Sequence, residues 1–342
     1  MRVGVIGGGG WGTALAILLD ARDHDVRLWV YERDLAERMA ATRENAPYLS
    51  GVKVPERIGI TNSLAEAARG ASVLVLVTPS RAMRAIATSL IAEAGDDVRG
   101  VRAVVSGSKG LEPTSLLRMS EVLTEVLPES LHEKIVALTG PSHAEEVSRR
   151  VPTAVVAASR SAEVAAFTQE AFSTDWFRIY TNDDVVGVEI AAALKNVVAI
   201  AAGICDGLGF GDSTKGALLT RGLLEISRLG EKLGARASTF SGLAGMGDLI
   251  ATAMSRHSRN RRLGEAIGRG MTLEQALAET TMVVEGVGTA DAAVDLARRC
   301  GVEAPIAEQV RAILYEGKSA RTAIRELLTR DLKAEPQAFT RR

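Results

Sequence analysis

The stretch Arg2-Val-Gly-Val-Ile6-Gly7-Gly8-Gly9-Gly10-Trp11-Gly12-Thr13-Ala-Leu-Ala-Ile-Leu-Leu19 decides the fold. A short β-branched run enters a glycine cluster, and an apolar run at helical spacing leaves it. Glycines at 7, 9 and 12 satisfy GxGxxG. Alone the pattern is weak, because glycine-rich turns occur in many folds. A strand before it and a helix after it make it specific. Each glycine serves a different purpose. Gly7 permits the tight turn, Gly9 lets backbone approach a pyrophosphate, and Gly12 lets helix and strand pack closely. The N–H groups that open the helix then face negative charge. We read a dinucleotide loop, with Gly10 and Trp11 inside it. Glu32 lies twenty residues after Gly12, at the end of the next expected strand, where a carboxylate accepts hydrogen bonds from an adenosine ribose.

Outward from the loop, strands and helices alternate. Strand-like runs fall at 2–6, 25–30, 58–61, 73–77, 101–105, 135–138, 153–157 and 177–180. Helix-like stretches fall at 11–21, 34–42, 63–69, 81–93, 115–126, 142–149 and 162–172. This alternation predicts βαβ units around a largely parallel sheet. Val73-Leu-Val-Leu-Val77 is apolar at every position, as a strand covered on both faces should be. From 185 onward the runs are helical, at 185–203, 215–233, 262–268, 272–280, 290–299, 306–315 and 320–328. The expected class is α/β. A Rossmann-like dinucleotide-binding domain (1–184) should precede an all-helical substrate and dimerisation domain (185–330) and a flexible tail (331–342).

Composition narrows the function. The 342 residues carry 41 Lys+Arg against 42 Asp+Glu, a net charge of -1, so no global basic field recruits nucleic acid. Cys205 and Cys300 lie far apart and outside any CxxC. They form neither a disulfide framework nor a cysteine zinc site, and they suit a reducing cytoplasm. The longest apolar stretch, 190–205, contains Lys195 and Asn196 and is read as too short to span a bilayer. His24, His132 and His257 show no metal-ligand spacing, and His143 is not read as half of a His–Asp catalytic pair. We expect no metal, no nucleic acid and no membrane insertion.

At Lys195 a family becomes recognisable. Glu189-Ile-Ala-Ala-Ala-Leu-Lys195-Asn196-Val-Val-Ala-Ile-Ala-Ala-Gly203 resembles the signature of glycerol-3-phosphate dehydrogenases that use a nicotinamide cofactor, in their bacterial cytoplasmic form. Further matches follow in family order: Gly9-Gly10-Trp11-Gly12-Thr13-Ala14, Ser108-Lys109-Gly110, Gly140-Pro-Ser-His-Ala144, Cys205-Asp-Gly-Leu-Gly-Phe-Gly211, Ala244-Gly-Met-Gly-Asp248, Ser258-Arg259-Asn260-Arg261 and Val283-Val-Glu285-Gly286. The resemblance implies a homodimer. It would interconvert sn-glycerol 3-phosphate and dihydroxyacetone phosphate with NAD or NADP, supplying the phospholipid backbone.

The residue chemistry agrees. A lysine within an apolar helix is costly unless it is used or paired. Burial and a second cation make lysine a base, and Lys109, after a strand, could be that cation. Ser258-Arg259-Asn260-Arg261-Arg262 is the one concentrated basic run. Its bland reading is a solvated face; a phosphomonoester substrate gives it a purpose, since arginine offers a planar fork for phosphate. The resemblance implies catalytic Lys195, Lys109 and Asp248. It adds Gly140, Ser142 and Arg259 around the substrate. Ser258 and Asn260 offer neutral donors beside Arg259, and Thr252 lies one helical turn after Asp248 and can share its face. Asn196 can bond either substrate or, as a cap, neighbouring backbone. Around the cofactor the resemblance adds Lys109, Ala144, Arg259, Val283 and Glu285 to the loop.

Gly10 stands where the family often carries Ser or Asn, and bacterial members commonly use NADPH. In Tyr31-Glu32-Arg33, Tyr31 can stack on adenine and Glu32 favours a ribose hydroxyl, whereas Arg33 can neutralise a 2′-phosphate. Cofactor choice stays open. Two other readings also stay open: a related β-hydroxyacid or opine-type dehydrogenase, which would bind a carboxylate in place of phosphate, and a non-catalytic dinucleotide sensor.

Overall fold

The computed structural model describes residues 1–332, 334 and 335. They divide into two units, 1–112 with 117–185, and 113–116 with 186 onward. The expected tail at 331–342 falls mostly outside the described residues.

In the first unit, strands β1 (Arg2–Ile6), β2 (Asp25–Trp29), β5 (Gly59–Thr61), β6 (Val73–Leu76), β7 (Ala103–Ser106), β8 (Ile135–Thr139), β9 (Thr153–Ala158) and β10 (Phe177–Asn182) make one sheet. Their order is β10-β9-β8-β7-β6-β1-β2-β5, and only β8 against β9 is antiparallel. A separate hairpin pairs β3 (Glu44–Asn45) with β4 (Leu49–Lys53). The helices are α1 (Gly10–Asp20), α2 (Arg33–Thr42), α3 (Leu64–Ala68), α4 (Met83–Ala94), α5 (Met119–Val126), α6 (Ala144–Val147) and α7 (Ala162–Phe172). The mostly parallel sheet expected from the alternation is present. Strand order reverses between β1 and β6, so the loops after these strands form the crevice where open α/β sheets collect ligands.

The apolar strands follow from burial on both faces. Val3, Val5, Val73, Val75 and Val105 pack into one core with Leu15 and Leu28. Their neighbours Ile6, Leu74, Leu76 and Val104 pack into another with Met83 and Leu123. Alternation with period two thus feeds two cores at once.

One local expectation fails, and one element was not foreseen. The helix expected at 115–126 begins only at Met119. Thr114 (φ 74°) and Leu116 (φ 63°) adopt left-handed backbone that a helix cannot contain. The hairpin β3–β4 has no counterpart in the pattern reading, because a two-residue polar strand has no periodicity to detect.

The second unit consists of α8 (Val185–Gly207), α9 (Asp212–Lys232), α10 (Ala237–Phe240), α11 (Asp248–Met254), α12 (Arg259–Gly268), α13 (Leu273–Ala278), α14 (Glu285–Cys300), α15 (Pro305–Tyr315) and α16 (Ala320–Leu328). The 23-residue α8 corrects the expectation drawn from 190–205: it is long and apolar enough to cross a membrane. The protein packs this helix inside itself instead, with 94% of its most apolar window buried. Against it lies α12 at very close range. A Cβ on Gly203 would sit 1.9 Å from the Arg261 carbonyl oxygen, and one on Gly264 2.0 Å from that of Ile200. Only glycine allows this approach, which brings Asn196 and Asn260 into contact.

Glu225 of α9 is half-buried behind α8. Its carboxylate accepts from the backbone N–H groups of Ile306 (2.9 Å) and Ala307 (3.0 Å), capping α15 from outside the helix. It borders a cavity of about 20 Å³, room for one water, lined also by Leu194 and Val198. Burial pushes its pKa up from 4.5 to about 7, against the pull of the two N–H donors. The folded state therefore binds a proton that the unfolded state has released between about pH 4.5 and 7. This contribution is fully present in acid and is lost as pH rises through 7, by about 3 kcal/mol. Glu225→Gln should accordingly gain on the parent protein between pH 5 and pH 8 in urea unfolding. A difference between the two that ignores pH would refute the assignment.

Candidate active site

In the first unit the glycine turn joins β1 to α1. Gly7 sits at φ 131°, and a Cβ there would lie 2.6 Å from the Val77 carbonyl oxygen after β6. Gly12 approaches the turn so closely that a Cβ would lie 1.9 Å from the Gly7 oxygen. Around the Cβ position of Gly9 there is open space to 4 Å. Helix α1 has no side-chain cap and no acidic residue in its first turn. Its first N–H groups have no acceptor within the helix, and the macrodipole places partial positive charge on them. This is a cradle of the right sign and openness for a pyrophosphate. The Trp11 indole Nε1 is buried without a hydrogen-bond partner, beside Gly107.

The loops after neighbouring strands converge on the same edge. Lys109, three residues beyond β7, donates from Nζ to the Gly140 carbonyl at 3.0 Å, and the Ser142 hydroxyl donates to that oxygen, also at 3.0 Å. Gly140 itself is at φ 148°, with Val155 where a Cβ would go. Ala144 begins α6, its Cβ 3.7 Å from the Cβ position of Gly10. Tyr31 is exposed and stands edge-on to Trp29 at 5.9 Å. Glu32 takes the N-cap position of α2, yet its side chain makes no cap.

The second unit holds the remaining residues. Lys195, 4% exposed, lies on α8 with Nζ 2.9 Å from Asp248 Oδ1 and 2.5 Å from Thr252 Oγ1. Thr252 in turn donates to Asp248 at 3.2 Å. Asp248 and Thr252, one helical turn apart on α11, are buried as well. A turn of π-helix at Leu243–Gly247 delivers Asp248; such turns recur at functional sites. Here an ammonium is tolerated away from water because a carboxylate and a hydroxyl compensate it.

Beside this group, Asn260 Nδ2 donates to Asn196 Oδ1 at 3.0 Å, and Asn260 Oδ1 accepts from Gly286 N at 2.9 Å. Arg259 Nη1 donates to the Val283 carbonyl at 2.5 Å, tying α12 to the approach of α14, which Glu285 opens. Ser258 serves as the N-cap of α12, accepting from Arg261 N. Arg261 pairs with Asp206 at 2.6 Å and Arg262 is exposed, so the structure employs the two differently from Arg259.

Family models decide the affiliation. The N-terminal model of NAD-dependent glycerol-3-phosphate dehydrogenase matches residues 2–165, and its C-terminal model matches 184–325. The chain belongs to the NAD-dependent glycerol-3-phosphate dehydrogenase family. The glycerol-3-phosphate dehydrogenase (NAD(P)+) of Geobacter sulfurreducens is 52% identical over 334 residues, covering 98% of each chain. That of Citrifermentans bemidjiense is 51% identical with the same coverage. A solved glycerol-3-phosphate dehydrogenase from Coxiella burnetii is 35% identical at a TM-score of 0.90, covering 96% of this chain and 99% of its own. A ketopantoate reductase from Ralstonia eutropha, 15% identical at TM-score 0.59, shares the fold alone.

For this family member the glycine turn and Lys195 were legible in sequence, but two residues that touch the turn and Glu32 were not. Asn45 and Tyr48, on and after β3, reach the turn and Glu32 from a stretch with no motif. No sequence pattern marked them; the burial of Asn45 is visible only in the fold.

Proposed function

We propose that the chain reduces dihydroxyacetone phosphate to sn-glycerol 3-phosphate, reversibly, with Lys195 as the proton-transferring residue. The observation that carries this is the buried Lys195–Asp248–Thr252 group. When bound, a reduced nicotinamide supplies the hydride that reaches C2 of the ketone. Lys195 Nζ gives its proton to the C2 oxygen as negative charge develops there, and takes it back in the oxidation. Asp248 holds the ammonium in place, and Thr252 fixes the carboxylate. Arg259, with Ser258, Asn260 and Asn196, is our proposed phosphate end, and Lys109 beside Gly140 and Ser142 our second cationic contact. The glycine turn, Trp11 and Ala144 form the proposed cofactor end, with Tyr31 and Glu32 toward the adenosine and Val283, Glu285 and Arg259 as late contacts.

On this reading 1–184 binds the dinucleotide and 185–330 carries the substrate residues. We further propose a cytoplasmic homodimer feeding phospholipid synthesis; the two free cysteines fit a reducing compartment. Light scattering tests the dimer. The reaction is tested by following NADH or NADPH oxidation with dihydroxyacetone phosphate. Turnover of a 2-keto acid in place of the phosphorylated ketone would favour the β-hydroxyacid reading, and tight nucleotide binding without turnover would favour the sensor.

A further inference from the structure

The hairpin between α2 and β5 is fastened to the glycine turn at three points. Asn45, fully buried, donates from Nδ2 to the Gly8 carbonyl (2.8 Å) and to Thr13 Oγ1 (2.7 Å). Leu49 and Val52 pack with Ala14 of α1. The Tyr48 carbonyl oxygen lies 2.6 Å from where a Cβ on Gly10 would stand. Any other residue at position 10 would push Tyr48 outward. The seating of Tyr48 thus depends on position 10 being glycine.

From that seat the Tyr48 hydroxyl donates to Glu32 Oε1 at 3.0 Å. Glu32 makes no cap to α2, so this bond is what fixes its direction. The backbone just before it is fixed too, since Asn62 Nδ2 donates to the carbonyls of Val30 and Tyr31, each at 2.7 Å. Arg33, the residue able to neutralise a 2′-phosphate, is paired instead with Glu37 one turn along α2, at 3.1 Å.

We propose that the β3–β4 hairpin is the specificity element of the cofactor site, with Tyr48 as a positioning residue that aims the Glu32 carboxylate. This rests on Glu32 as the ribose residue. One carboxylate oxygen is occupied by Tyr48 and the other accepts from a ribose diol. The same fixed negative charge repels a 2′-phosphate, so the chain prefers NADH to NADPH. Burial, with Glu32 beside it, raises the Tyr48 phenol above its ordinary pKa, so the hydroxyl keeps its proton through the neutral range.

Equilibrium dissociation constants of the full-length protein for NADH and NADPH, read by nucleotide fluorescence without substrate, test this. Glu32→Ser should move the NADPH-to-NADH ratio of dissociation constants toward NADPH by about tenfold or more. Tyr48→Phe keeps the ring in its packing and should move the ratio the same way by about three- to fivefold. This is less than the full worth of a hydrogen bond to a charged group, because the carboxylate keeps its charge and loses only its aim. The double variant should move it no further than Glu32→Ser, because Tyr48 acts through Glu32. Gly10→Ser, which displaces Tyr48 without touching its hydroxyl, should imitate Tyr48→Phe. A ratio moved by Glu32→Ser but not by Tyr48→Phe or Gly10→Ser overturns the positioning role and leaves the ribose assignment standing. Additive shifts in the double variant also overturn it. A ratio indifferent to Glu32→Ser removes both.

Discussion

Lys195→Met will lower turnover of dihydroxyacetone phosphate by about 10²–10⁴-fold, the range that a positioned acid–base group contributes. Methionine matches the length of the lysine stem, so packing around α8 is kept. What it does not keep is the partner of Asp248, which is 2% exposed. Removing one member of a buried pair typically costs about 3–5 kcal/mol because the other charge is stranded. That is a large share of the roughly 5–15 kcal/mol that holds a domain folded. The single variant should therefore melt well below the parent. Lys195→Met with Asp248→Asn removes both charges and should recover much of the melting temperature without recovering turnover. This separates chemistry from folding. NADH affinity should hardly change in the double variant, since the glycine turn belongs to the other unit. Near-parental turnover in either protein would end the assignment of Lys195 as the proton carrier.

What the sequence disclosed follows from how each feature is encoded. The glycine turn was legible because every constraint on it is local: Gly7 needs its positive φ, and Gly12 must clear the Gly7 carbonyl. The sheet was legible because burial on both faces leaves uninterrupted apolar runs such as Val73–Leu76. Lys195 stood out because a cation interrupts a long apolar helix. Its partner Asp248, in contrast, sits 53 positions away behind a π-turn. Aspartate after glycine reads as ordinary turn chemistry, so only the family resemblance singled it out. The same holds for the Asn196–Asn260 contact, created by helix packing across Gly203 and Gly264. The hairpin was invisible for the opposite reason. Its importance lies in Asn45 and Tyr48 reaching back to Gly8, Gly10 and Glu32, and no periodicity records such contacts. The helix start near 115 failed because left-handed Thr114 and Leu116 override a helix-compatible composition.

Arg259→Ala will reduce catalytic efficiency with dihydroxyacetone phosphate by at least about tenfold, and much less with unphosphorylated dihydroxyacetone. A phosphomonoester carries about −1.5 to −2 charges at neutral pH. Each charge-assisted hydrogen bond to it contributes about 1.5–3 kcal/mol, and about 1.4 kcal/mol is one decade. Arg259 is the arginine of its run suited to holding phosphate, because Arg261 is committed to Asp206 and Arg262 faces solvent. The guanidinium also donates to Val283, so truncation releases that carbonyl and loosens the junction of α12 with α14. Damage of this second kind slows both substrates alike. The loss that tracks the phosphate is therefore the ratio between the two efficiencies, not either one alone. Arg259→Lys sharpens the reading, because it keeps the charge but loses the planar fork. If the fork matters, lysine should recover only part of the ratio; if charge alone matters, it should recover nearly all of it. Equal losses on the two substrates would make Arg259 a structural tie between α12 and Val283, and the phosphate would then have to be held by other residues.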